Sequence, residues 1–126
     1  MTMTRRTTLA TALATGLGLV LATPALAHHG WAWTTGGNIV LTGIIRSVSL
    51  GNPHGVLEVD AEGELWTVEV GQPWRNARAG LVDGDLAEGV EVTIEGEPSA
   101  DPDERLMKAE RITIAGKVYE LYPARS

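Results

Sequence analysis

From Asn38 to Tyr122 the chain is written in short runs that alternate apolar and polar residues and end at glycine turns. Such runs can bury one face each only by closing a sheet into a barrel or by stacking two sheets. Asn38 to Leu50 carries Ile39, Val40, Leu41, Ile44, Ile45 and Val48 around Gly43, and a glycine inside a strand marks a bulge or a barrel bend. Val56–Val59 sets Val56, Glu58 and Asp60 against Leu57 and Val59. After Glu62-Gly63, the run 65–70 sets Leu65, Thr67 and Glu69 against Trp66, Val68 and Val70, which reads as a β-hairpin. Val90 to Glu97 turns Val90, Val92 and Ile94 inward. Leu106 to Ala115 is a further strand, and Val118 to Tyr122 pairs back after the turn at Gly116.

One segment breaks the alternation. Pro73 to Ala79 reads as two turns of helix, with Pro73 at the first helical position and Gly80 as the stop. Five or six short strands with a helix after the third predict an all-β fold: a small OB-fold-like barrel, with a β-sandwich as the alternative.

Ahead of the strands, residues 1–27 read as an export signal. Arg5 and Arg6 open it, an apolar run follows from Leu9 to Leu21, and Ala25-Leu26-Ala27 is a small-residue cleavage site. The run is shorter than the ~20 apolar residues a membrane span needs. Thr4-Arg5-Arg6-Thr7-Thr8-Leu9 also resembles a twin-arginine signal, with Thr8 where an apolar residue is usual. Either route delivers residues 28–126 as one soluble domain, periplasmic or secreted, with no membrane span after cleavage. Losing Arg5 and Arg6 leaves eight basic residues against sixteen acidic ones, a net charge of −8. That balance argues against nucleic acid as a partner. The chain has no cysteine, so neither a disulfide nor a thiolate metal site is available.

Cleavage after Ala27 creates the candidate site. The processed chain starts His28-His29-Gly30-Trp31, which puts a free α-amine and an imidazole on one residue. The only other histidine, His54, lies in the turn Asn52-Pro53-His54-Gly55. Copper(II) favours nitrogen donors in a tetragonal arrangement. The amine and imidazole of His28 supply two, His54 a third, and His29 can assist or chelate by itself with the terminal amine and its own amide. Trp31 and Trp33 fall on one face if this segment is extended, lining the site or plugging the barrel end. Met107 is the one methionine left after cleavage, which excludes a methionine-rich copper(I) site.

The sequence therefore predicts a metal-binding protein that buffers or delivers copper and is not an enzyme. Gly-x-Ser-x-Gly, Cys-His and His-Glu-x-x-His patterns are absent, and nothing in the spacing places Tyr119 or Tyr122 beside the histidines. The other class of reading is a non-metal binding module of the cell envelope with a protein partner or other ligand. It would use Trp74, Arg75 and Arg78 as a patch, since Trp and Arg are common anchors. Trp74 is expected to pack the short helix onto the barrel, and Trp66 to lie in the core.

Ala27-His28-His29, Thr42-Gly43-Ile44-Ile45, Asn52-Pro53-His54 and Gly71-Gln72-Pro73 together resemble a family of small exported bacterial proteins of unknown function. Its members typically show Ala-His-His at the cleavage site, a Thr-Gly-x-Ile/Val strand, an Asn-Pro-His turn and a Gly-x-Pro segment with Arg-Gly downstream. Here Gly30 stands where Ser is usual and Ala79-Gly80 where Arg-Gly is usual. The resemblance implies an exported β-rich domain and supplies no mechanism.

Overall fold

Glycine turns and period-two alternation produce six strands in the computed structural model, which describes residues 30–125. They are β1 (Ile39–Ser49), β2 (Val56–Ala61), β3 (Glu64–Glu69), β4 (Glu91–Pro98), β5 (Leu106–Ile114) and β6 (Lys117–Glu120), with helix α1 (Pro73–Arg78) between β3 and β4. A 3-10 turn, Pro123–Arg125, ends the described chain. Two tight hairpins have the two-residue loops predicted at glycine. Glu62-Gly63 and Ala115-Gly116 all have positive φ, the backbone that matches the twist of the flanking strands.

β1 is long enough to serve two neighbours. Its first half pairs antiparallel with β4 (Ile39↔Gly96 to Ile44↔Glu91), its second half with β2 (Ile44↔Asp60 to Ser49↔Val56). β2 pairs with β3, β4 with β5, and a parallel pairing of β3 with β5 closes the ring (Thr67↔Leu106, Val68↔Met107, Glu69↔Lys108). The result is a closed five-stranded barrel of mixed direction, order β1-β2-β3-β5-β4, with β6 added along the end of β5. This is the OB-fold arrangement, helix position included; the sandwich alternative does not apply.

Gly43 sits where β1 passes from one neighbour to the other. A Cβ there would lie 2.3 Å from the Asp60 carbonyl oxygen. The register shift in this strand falls just beyond, between Ile45 and Ser47, so Gly43 is a close approach beside a bulge and not the bulge itself. Ile45, Leu57, Val59, Val68, Val70, Val92, Ile94, Met107 and Ile112 fill the interior, matching the inward faces that the alternation predicts.

α1 is held by an amide rather than by an N-cap side chain. The Asn76 side chain accepts from the Gly71 N–H (2.9 Å) and donates to the Gly71 carbonyl (2.9 Å), closing the segment before the helix onto its middle. Gly80, at φ 102°, ends the helix in the left-handed conformation. Trp74 does not pack α1 onto the barrel, as the sequence suggested. It stays 54% exposed, because Asn76 and Leu81 are the residues that turn inward.

Candidate functional site at the N-terminal end of the barrel

Residues 30–33 form a turn and not an extended segment, so the one-face argument for Trp31 and Trp33 does not hold. The turn is closed by the Thr34 N–H donating to the Trp31 carbonyl (3.1 Å). The chain then bridges to the end of β4 through Thr34↔Ser99, and Trp33 accepts a backbone hydrogen bond from Ala100.

Trp31 is the centre of a stack. The Tyr122 ring meets it edge-on at 5.0 Å, the Arg125 guanidinium lies 3.7 Å from its centroid, and Lys108 Nζ lies 4.7 Å from it. On its other side Tyr122 meets Arg75 at 4.1 Å, and Arg75 in turn lies 4.6 Å from the Trp74 ring. Each cation over a ring contributes ~0.5–1 kcal/mol at partly exposed sites. Together they tie the N-terminal segment, the C-terminal turn and α1 to one end of the barrel.

Beneath this stack lies a chain of charged groups. Lys108 Nζ donates to the Gly30 carbonyl at 2.9 Å. Lys108 is the register partner of Glu69 across the parallel β3–β5 pair, and Glu69, 4% exposed, has its Oε1 3.3 Å from His54 Nε2. Lys108 and Glu69 are adjacent in register and feel each other's charge, so the Gly30 and His54 contacts fall on neighbouring strands. Burial pushes the Lys108 ammonium below its usual pKa. Glu69 pulls it back up, and Arg125 and Arg75 push it further down. Burial raises the Tyr122 phenol, with Glu69 adding to the rise and Arg75 and Arg125 opposing it. Glu97, 1% exposed, pairs with Arg125 and accepts from the Thr34 hydroxyl (3.3 Å).

His54 is half-buried, and its Nδ1 lies 3.2 Å from the Gly55 carbonyl oxygen. The tautomer that donates there carries its lone pair on Nε2, the atom facing Glu69. The other tautomer carries its proton on Nε2 and donates it directly to Glu69; a metal ion on Nε2 requires the first. Two donors at ~2.0–2.2 Å from one ion and roughly at right angles are about 3 Å apart, so this edge also fits metal coordination. Among the described residues no group of three or more His, Asp or Glu gathers to hold a metal, so a complete site needs donors from outside them. His28 and His29 lie outside the described residues.

Several participants went unread in the sequence: Glu69, Glu97, Lys108, Tyr122 and Arg125. The alternation turns Glu69 and Lys108 away from the core. They are buried nonetheless, because the N-terminal turn and the residues after β6 cover that outer face. The usable signal was the apolar Leu121-Tyr122-Pro123 following the last strand. Tyr119, by contrast, is a core residue. Trp66 is partly buried against the core, with Arg105 5.7 Å from its ring.

The architecture is thus a small OB-like barrel whose N-terminal segment is held by Lys108, with the Glu69–His54 pair on the neighbouring strand side. The chain belongs to a family of unknown function, DUF6152, whose model matches residues 18–107. Similar solved structures include a ZRD-deleted mutant of TiaS in complex with agmatine. It is 18% identical with a TM-score of 0.50, over 67% of this chain and 26% of that one. The Stn1–Ten1 complex of S. pombe is 19% identical with a TM-score of 0.49, over 64% of this chain and 59% of that one. The chain thus spans about a quarter of the TiaS chain, and these likenesses concern the fold alone. No curated protein matches the chain. Among the described residues, no helix is long and apolar enough to cross a membrane.

Proposed function

We propose that the chain is exported, cleaved after Ala27, and binds copper(II) through the amine and imidazole of His28 together with His54, for buffering or delivery without turnover. The observation that supports this reading is the pair of contacts Gly30–Lys108 and Glu69–His54 on two paired strands. Gly30 is held by Lys108, the register partner of the Glu69 that faces His54, so the segment that follows His28 and His29 is fixed at the barrel end that carries His54. Trp31, pinned by Tyr122 and Arg125, is the physical anchor of that segment.

The His54–Glu69 edge supports the chemistry in a second way. An imidazole whose Nδ1–H is held by a carbonyl presents Nε2 in a fixed direction, and a carboxylate beside it favours a bound cation. Lys108 is the competitor. Its ammonium already draws on Glu69, which leaves the carboxylate a supporting group or a weak fourth donor. His29 assists as a further nitrogen donor. The alternative reading, an envelope module with a non-metal ligand, draws on Trp74, Arg75 and Arg78 of α1.

The test compares the processed protein, checked by N-terminal sequencing to begin at His28, with one carrying a four-residue Ser-Ala-Ser-Ala extension. With the extension, neither histidine shares a chelate with the amine. Copper(II) titration against a competing chelator should give one-to-one binding in the processed form, at least tenfold weaker in the extended form. Equal binding in the two would overturn the proposal.

A further inference from the structure

Beside the metal-site reading, and independent of it, lies a cleft of about 300 Å³ between the end of α1 and the C-terminal turn. That is the lower end of the range for small-molecule sites. Three guanidinium groups line it, from Arg75, Arg78 and Arg125, in a chain whose overall charge is negative. Leu121, Pro123 and Ala124 supply an apolar wall.

The three arginines are not equivalent. Arg125 is neutralised by its pair with the buried Glu97. Glu120, at the rim, is neutralised by Arg111. Arg75 and Arg78 have no carboxylate partner among the described residues. They are three apart on α1, so they are neighbours on one face. A helix dipole favours a cation in the last turn, but that does not explain how Arg75 is held. Its guanidinium lies against both the Trp74 and the Tyr122 rings. Its Nε donates to Gln72 Oε1 (3.2 Å) and its Nη1 to the Leu121 carbonyl (3.1 Å). This fixes the guanidinium and leaves Nη2 with no acceptor among the described residues. A rigid guanidinium with a spare donor nitrogen, next to a second one without a carboxylate partner, is an oxyanion receptor prepared in advance.

We propose that this cleft binds a small organic carboxylate, its oxygens held by Arg75 and Arg78 and its apolar body against Leu121, Pro123 and Ala124. The apolar wall of Leu121, Pro123 and Ala124 selects an organic carboxylate, since it offers inorganic phosphate nothing.

Benzoate is the probe and inorganic phosphate the control, titrated into the processed protein. Binding is read by Trp fluorescence and by the Arg Nε–H resonances. The expected result is single-site saturation by benzoate, weakened at least tenfold by Arg78→Gln and by Arg75→Gln and unchanged by Arg105→Gln, whose side chain bonds Glu64 elsewhere. Arg78 is exposed, so its variant folds even if the Arg75 variant does not. Shifts that stay linear with benzoate, survive Arg78→Gln, or are matched by phosphate at equal concentration would overturn the assignment.

Discussion

Gly96→Ala is expected to lower unfolding stability by about 3 kcal/mol, the upper end of what overpacking costs. Gly96 faces the one register shift between β4 and β5, where Glu95 pairs with Arg111 and Gly96 with Ala109, leaving Glu110 as the extra residue. A Cβ at Gly96 would lie 2.0 Å from the Lys108 carbonyl oxygen and 2.9 Å from Ala109 Cα. Both are backbone atoms of a barrel strand, so no side-chain rotation relieves the clash. The strands must part, and the strand that moves carries Lys108, whose ammonium holds Gly30. Chemical denaturation of the variant should show a lowered midpoint. Amide exchange should rise at residues 30–35 as well as along β5. An unchanged midpoint would mean that the bulge does not depend on glycine.

Glu69→Gln should have the largest effect at the site. The carboxylate is buried beside His54 and its charge favours the Lys108 ammonium, so its removal weakens the hold on Gly30. The same change removes the group that draws a cation to His54 Nε2. Loss of such a supporting partner typically costs 10–100-fold in metal affinity. Copper(II) affinity measured by chelator competition should fall by that factor at a temperature where the variant remains folded by circular dichroism. Affinity within twofold of the parent would remove Glu69 from the account.

The barrel was legible because its determinants are local. Alternation along β2 and β4 orients each strand, and Gly63 and Gly116 supply the positive φ that their hairpin turns need. Pro73 and Gly80 bound the helix between β3 and β4. What was not legible depends on residues distant in sequence. The parallel pairing that sets Glu69 beside Lys108 joins strands with α1 and β4 between them, and no spacing rule connects them. The stack of Trp31, Tyr122 and Arg125 joins the two ends of the described chain, and only the closed barrel brings those ends together. The same closure buries Glu69 and Lys108, which alternation alone assigns to solvent. His54 was legible as a turn histidine, but its carboxylate partner was not. Trp74 shows the converse failure, since a large apolar side chain beside a helix start reads as an anchor although Asn76 does the anchoring.

The most direct test of the central claim is pulsed electron paramagnetic resonance of the processed protein loaded with one equivalent of copper(II), with and without His54→Ala. The account predicts two imidazole nitrogen couplings in the parent, one of which disappears in the variant while the amine and His28 couplings remain. Identical spectra for the two proteins, matching that of a free His-His-Gly peptide, would contradict it and reduce the site to a plain terminal chelate.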